Sequence, residues 1–200
     1  MAETQRDRGF ERLIAFLDAM VAIAITLLVL PLVELTADID DYASVNELLG
    51  ENQAEIWAFL LSFAVIARLW FVQHDSVRHV VGDDRRLARL LVLWALTIVF
   101  LPFPTALVAE TPDDSTTKLL YIGSMVLSTA ILTLVETRLA RHPELTDGAD
   151  DADPVNGAAN VAMLLVALLI TLVVPATSYA PLLLLLAADP AARAWRRLRT

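Results

Sequence analysis

Long apolar runs separated by short polar segments dominate the sequence. An α-helix needs about 20 apolar residues to cross the hydrocarbon core of a bilayer, and the first five runs reach that length. The sixth run is shorter and contains Pro181 and Pro190. The pattern predicts an all-α integral membrane protein with six transmembrane helices in one domain over residues 1–200. The predicted spans are 13–33, 56–77, 87–109, 119–139, 155–174 and 179–192.

The positively charged residues are distributed unevenly between the segments that join these spans. If the amino terminus is cytoplasmic, nearly all Arg residues fall in cytoplasmic segments, and only Lys118 falls outside. Arg68 lies within the second span. Cytoplasmic loops carry an excess of Lys and Arg, so the distribution predicts that both termini are cytoplasmic, which six spans allow.

Composition excludes several classes of function. Apolar residues make up 57% of the chain, cysteine is absent and the net charge is −9. Without cysteine there are no disulfides, zinc-thiolate sites or thiol nucleophiles. The sequence also has no paired metal-binding motif and no nucleophile beside a base, so neither an enzyme nor a cofactor is expected. The acidic balance disfavours nucleic-acid binding. The lipid bilayer is the expected environment, with no tightly bound metal.

The first span carries one acid, Asp18, near its start. A charge inside a bilayer costs at least about 2.5 kcal/mol, so Asp18 is expected to face protein or water. On an antiparallel second span His74 lies at a similar depth, and Arg68 either pairs with Asp18, meets another acid or extends towards the headgroups. We expect a polar network between the first two spans. Its predicted members are Arg12, Asp18, Arg68, Trp70 and His74.

An apolar stripe follows one face of the first span. Ile23, Leu27, Leu30 and Glu34 have the i, i+4, i+7, i+11 spacing that places residues on one face of a helix. From Ile23 to Leu30 the stripe is about 10 Å long at 1.5 Å per residue. Periodicity alone favours ordinary helix packing for this stripe, with the Thr26 hydroxyl bonded to its own helix.

The first half of the chain also resembles a known family. The segment from Arg12 to Leu30 contains Arg-x-x-x-Phe-x-Asp followed by an Ala-Ile-Ala-Ile-Thr-Leu-Leu run. Further matching motifs are Trp57–Phe63, Trp70-x-x-x-His74, Asp84–Leu87 and Leu101–Leu107. Together these residues resemble the transmembrane protein 175 (TMEM175) family of lysosomal potassium channels and their prokaryotic relatives.

This resemblance implies a multi-pass prokaryotic plasma-membrane protein, a homotetramer that acts as a leak-type potassium-selective channel. The first helix of each subunit would line the pore. By resemblance, Ile23, Leu27 and Leu30 form its hydrophobic gate, and Thr26 contributes to the preference for potassium. Glu34 would then lie at the outer mouth. The carbonyl-filter signature Thr-Val-Gly-Tyr-Gly is absent.

Two positions depart from the family pattern. Leu17 stands where the family usually has serine, and the third span lacks the usual asparagine.

A different class of function also remains open. A proton-coupled transporter of small solutes or cations would use Asp18, Arg68 and His74 as a relay, because titratable residues at membrane depth mark such paths.

Overall fold

The described residues of the computed structural model, 8–82, 84–111, 113–147 and 154–173, are almost entirely helical. Within them the one β-type pairing is an isolated bridge between Val80 and Thr146. The helices are α1 Arg8–Leu27, α2 Leu30–Glu34, α3 Val45–Glu51, α4 Gln53–Val77, α5 Arg85–Phe100, α6 Pro102–Glu110, α7 Ser115–Arg141 and α8 Pro154–Val173.

The all-α membrane class predicted from the apolar runs is confirmed. Four helical stretches are long and apolar enough to span a bilayer: Arg8–Ala37, Gln53–Val77, Arg85–Glu110 and Ser115–Arg141. Each contains one of the first four predicted spans almost completely. The fifth predicted span coincides with α8, and the sixth, 179–192, lies outside the described residues. The orientation of the termini stays a prediction.

Prolines interrupt the first and third spans without ending them. Proline lacks a backbone N–H, and its ring clashes with the carbonyl of the residue four positions earlier. Ahead of Pro31, Leu28 N and Val29 N bond to carbonyls three residues back, each at 3.3 Å, and α2 then continues the span. Ahead of Pro102, Leu101 N does the same at 3.2 Å before α6 begins. Both spans therefore consist of two helical segments.

Helix α7 lies at the centre of the bundle. It packs against α8 and α5 most extensively, and also against α6 and α4, whereas α1 packs mainly against α5. Half of the apolar window of α7 is buried, compared with 22% of that of the first span. The core is therefore built around α5 and α7, and α1 lies at its edge.

The loop between α4 and α5 is joined to the segment that follows α7. Val81 N donates to Leu145 O at 2.9 Å, and Asp147 N donates to His79 O at 3.0 Å. Gly82 lies so close that a Cβ there would be 3.1 Å from Leu145 Cδ2. The ends of α4, α5 and α7 at this side of the bundle are thereby held together.

Candidate pore-lining face and inter-helix polar network

Helix α1 has one buried ridge and one broad exposed face. The ridge follows the i, i+7, i+11, i+14 spacing that keeps side chains on one side of a helix. This ridge packs in the core against the rest of the bundle, chiefly α5. Its members are Phe10, Leu17, Val21, Ala24 and, past the end of α1, Leu28. Leu17, which departs from the family pattern, is fully buried in this ridge.

The residues predicted to form the gate lie on the opposite, exposed face. Ile23, Leu27 and Leu30 are 60%, 39% and 51% exposed, and Glu34 is exposed at the end of α2. Leu27 and Leu30 lie on either side of the break before Pro31, so the stripe continues across it. A contiguous apolar surface of this kind is an interaction surface that lipid or further protein must cover.

Thr26 is exposed close to the same face. Its hydroxyl donates to Ile23 O at 2.7 Å, which is a bond within its own helix. A hydroxyl has one hydrogen and two lone pairs, so this bond still leaves oxygen lone pairs that can accept from water or contact a cation. The geometry is therefore compatible with both readings of Thr26, local bonding and ion contact.

A hydrogen bond links Asp18 on α1 to Trp70 on α4. Trp70 Nε1 donates to Asp18 Oδ1 at 2.8 Å, and both side chains are half-buried. The Trp70 ring also lies against the His74 ring, with centroids 5.5 Å apart. An indole N–H bonded to a carboxylate is a charge-assisted hydrogen bond. This contact fixes the rotation of α1 against α4.

The other predicted members of the network are arranged differently. In the described part of the chain neither Arg12 nor His74 hydrogen-bonds to Asp18, and both are exposed. Arg68 is half-buried on α4, two residues before Trp70. The structure thus brings Asp18, Trp70 and His74 together and leaves Arg12 on the exposed face of α1.

Sequence reasoning missed a chain of buried hydroxyl groups inside the bundle. Thr105 Oγ1 donates to Ser62 Oγ at 2.8 Å, and Ser62 Oγ lies 2.9 Å from Tyr121 Oη. All three side chains are nearly inaccessible to solvent, and they join α6, α4 and α7. Small polar residues commonly bond across helix interfaces in membranes. A serine and a threonine inside predicted spans were the available signal.

An ion pair connects the ends of α5 and α7. Arg138 Nε donates to Asp84 Oδ2 at 2.8 Å, and Asp84 Oδ1 accepts from Arg86 N at the start of α5. Partial burial of the carboxyl by itself raises its pKa. The bonds from Arg138 and Arg86 outweigh this effect, so the pKa of Asp84 is below its ordinary value. Asp84 is therefore charged at neutral pH, both as a helix cap and as an ion-pair partner.

His142 connects this ion pair to Glu144. Arg138 Nη1 donates to His142 Nε2 at 2.9 Å, and His142 Nδ1 lies 2.8 Å from Glu144 Oε1. Because arginine can only donate, Nε2 must accept, so the proton of the neutral ring is on Nδ1.

Within the ranges that the structure describes, no group of three or more His, Cys, Asp or Glu residues could hold a metal ion.

Comparisons with known proteins bear on what this arrangement does. The family described as "Endosomal/lysosomal potassium channel TMEM175" matches residues 12–102. A protein of Streptomyces collinus named as a potassium channel is 35% identical over 99 residues, 50% of this chain and 47% of that protein. A protein of Chamaesiphon minutus with the same kind of name is 32% identical over 151 residues, which cover 74% of this chain and 72% of that protein. The chain thus spans about half the length of the first relative and nearly three quarters of the second.

A solved structure is similar over nearly the whole chain. It is the crystal structure of a lysosomal potassium-selective channel TMEM175 homolog from Chamaesiphon minutus, with a TM-score of 0.74 and 26% sequence identity. The alignment covers 93% of this chain and 98% of that chain. The similarity therefore extends beyond the matched motifs of the first three spans to the overall arrangement of the helices.

Proposed function

The chain belongs to the TMEM175 potassium channel family, and we propose that it conducts potassium ions passively through a pore lined by helix α1 from four copies of the chain. Membership of a channel family, rather than an enzyme family, agrees with the expectation of no catalytic site. The observation that carries the proposal is the exposed apolar stripe of Ile23, Leu27 and Leu30, which ends at the acid Glu34.

Four such stripes around a common axis would form stacked apolar rings. A narrow apolar collar expels water, so an ion cannot keep its hydration shell there, and conduction stops until the collar widens. The stripe is about 10 Å long from Ile23 to Leu30, which is several water diameters. This length supports a role for the three residues as a hydrophobic gate.

Polar groups near the collar would favour potassium ions. Glu34, at one end of the stripe, would raise the local concentration of cations by charge attraction. Thr26 lies beside Ile23 and offers hydroxyl lone pairs that can replace part of an ion's hydration shell. We assign cation attraction to Glu34 and the preference for potassium to Thr26.

The bond between Asp18 and Trp70 would act on the pore indirectly. The bonded atoms, Trp70 Nε1 and Asp18 Oδ1, are 2.8 Å apart, and the bond holds α1 against α4. It lies on the side of α1 away from the exposed stripe. In this assignment Asp18 and Trp70, with His74 beside them, position the pore helix and do not contact the ion. The location that suits such a protein is a prokaryotic plasma membrane, with both termini in the cytoplasm.

Potassium flux into proteoliposomes tests the gate. Ile23→Asn should raise the flux at least several-fold, because a polar side chain lets water enter the collar. Leu169→Asn is the matched control, since Leu169 on α8 is 62% exposed, almost the same as Ile23. An equal rise in both variants, or no change when Ile23, Leu27 and Leu30 are all replaced by Asn, would rule out this gate.

Two further measurements separate the channel from the transporter and test the assembly. Passive conduction is expected to continue without a proton gradient. Saturable flux that requires a proton gradient and is lost in Asp18→Asn would instead support the relay of Asp18, Arg68 and His74.

Light scattering of the purified protein should give the mass of four chains, and the mass of one chain would contradict the shared pore.

A further inference from the structure

Helix α5 has an exposed face whose chemistry changes sharply along its length. Its buried face packs in the core through Leu87, Leu91, Trp94 and Ile98. On the opposite face the first five residues include three exposed arginines, and the following turns carry large exposed apolar side chains. These residues are Arg85, Arg86 and Arg89, followed by Leu93, Leu96 and Phe100.

The three arginines have no acidic partner among the described residues. None of their guanidinium groups forms an ion pair or a side-chain hydrogen bond there. The neighbouring acid, Asp84, is already bonded to Arg138 and to the backbone of α5. The first turn of α5 contains no acid of its own. Among the residues that the structure describes, the positive charge on this face is therefore not compensated by an acid.

The spacing of the arginines increases this imbalance. Arg85 and Arg89 are four residues apart and Arg86 and Arg89 are three apart, so their side chains are neighbours on the helix surface. Like charges at these spacings destabilise a helix. A basic end would satisfy the positive-inside rule with its arginines on any face of the helix. Here they share the one exposed face of α5 with an apolar stripe and lie directly in line with it.

From this face we propose a binding site for one anionic phospholipid, with the headgroup phosphate on Arg86 and Arg89 and the acyl chains along Leu93, Leu96 and Phe100. Guanidinium groups bind phosphate oxygens in a bidentate manner. Basic sites at the cytoplasmic ends of membrane helices bind anionic headgroups. A free phosphate would use the arginines but leave the apolar stripe unexplained, which favours a lipid.

The site would connect lipid composition to the pore helix. Among the described helices, α5 is the one that packs most extensively against α1. A lipid that neutralises the arginines removes their mutual repulsion and holds the first turn of α5 in place. The position of α1 is thereby stabilised indirectly. Lipid binding itself does not depend on the proposed conduction, so the two proposals can fail separately.

Native mass spectrometry of the purified protein tests the site. The delipidated protein is titrated with phosphatidylglycerol, and with phosphatidylcholine of the same acyl chains as the neutral probe. The double variant Arg86→Gln/Arg89→Gln should weaken retention of phosphatidylglycerol by on the order of tenfold, from the contribution of two arginines near an anionic headgroup. Retention of phosphatidylcholine should stay the same.

The matched control removes two charges from the same end of the bundle but from other helices. Arg8 on α1 and Arg141 on α7 are both exposed, and Arg8→Gln/Arg141→Gln should retain phosphatidylglycerol as the wild type does. Equal weakening in both double variants, or none in either, would overturn the site. Displacement of the lipid by inorganic phosphate would show recognition of free phosphate instead. Circular dichroism confirms that each variant is folded.

Discussion

The exposed face of α1 and the surroundings of α7 show two ways in which an apolar helix can be used. Half of the apolar window of α7 is buried against other helices, and polar side chains such as Ser128 and Thr129 are buried there. On α1 only a narrow ridge is covered, and Ile23 and Leu30 are more than half exposed. The first span, which is mostly uncovered, has a higher mean hydropathy than α7. High hydropathy therefore does not indicate which helix has partners within the chain.

This difference separates fold from function within one molecule. Close fits and paired polar groups hold the bundle together, so changes there should reduce stability. The exposed face of α1 contributes little to the fold of one subunit, so changes there should alter flux while the subunit stays folded.

The largest expected effect comes from placing an amide on the buried ridge of α1. Leu17 is fully buried, so Leu17→Asn removes apolar contacts and buries an unpaired polar group, at a cost of about 3–5 kcal/mol. Leu27→Asn on the exposed face should cost less than about 1 kcal/mol. Denaturant titration in detergent micelles measures both. An equal loss of unfolding free energy in both variants would show that the two faces of α1 do not differ in their contribution to the fold.

The next effect concerns the contact between α7 and α8. A Cβ at Gly157 would lie 2.6 Å from Glu136 Oε2 and 2.7 Å from Thr133 Oγ1. Thr133 Oγ1 donates to Thr129 O, so Thr133 cannot move away without losing this hydrogen bond. Gly157→Ala should destabilise the protein by about 1–3 kcal/mol.

Gly123, also on α7, provides the control for this substitution. Apart from its chain neighbours and the backbone of its own helix, no atom lies within 4 Å of a Cβ built there. Because alanine is the better helix former, Gly123→Ala should stabilise the protein by about 0.5–1 kcal/mol. The same unfolding measurement gives both values. A stabilising Gly157→Ala would mean that α8 is not held closely against α7.

A smaller effect is expected at the ion pair of Asp84 and Arg138. Asp84→Asn keeps a side chain that can cap α5 but removes the charge opposite Arg138, at a cost of about 1–2 kcal/mol. Asp114→Asn is the matched control, because Asp114 caps α7 through Thr117 N and has no cationic partner among the described residues. Asp114→Asn should lower the free energy of unfolding by less than Asp84→Asn does.

The same pair predicts a dependence of stability on pH. The folded-state pKa of Asp84 is below its unfolded value near 3.8. Its contribution is therefore complete above that value and is lost as the pH falls through the lower, folded-state pKa. Unfolding curves of the wild type and Asp84→Asn should converge in this acidic range. A constant difference between them down to strongly acidic pH would contradict the assignment.

Helix positions were predictable because hydropathy and periodicity are local properties. The predicted span 56–77 falls within Gln53–Val77, and the common face of Ile23, Leu27 and Leu30 follows from spacing alone. Whether that face meets lipid or other copies depends on assembly, which periodicity does not encode. The family resemblance supplied the pore assignment, and the sequence match and the similar solved structure confirm the family.

Other features were missed although the sequence contained a signal. Helix α3 begins after Ser44, whose Oγ accepts from Glu47 N, while Glu47 Oε2 accepts from Ala43 N. This is close to a capping box, which the Ser-x-x-Glu spacing indicates. The partners of Ser62 could not be predicted, because contacts between distant helices depend on their packing and not on local pattern.

The smallest expected effect tests the buried hydroxyl chain. Tyr121→Phe removes one partner of Ser62, at a cost of about 0.5–1.5 kcal/mol, because Thr105 still donates to Ser62. Tyr42→Phe is the control, since among the described residues the Tyr42 hydroxyl accepts one long bond of 3.3 Å, from Asn52 in a partly exposed segment. Thermal unfolding in detergent should show a lower Tm for Tyr121→Phe than for Tyr42→Phe, with potassium flux unchanged in both. A large change in flux from Tyr121→Phe alone would mean that the interior of the bundle takes part in conduction, and the contrast with α1 would then fail.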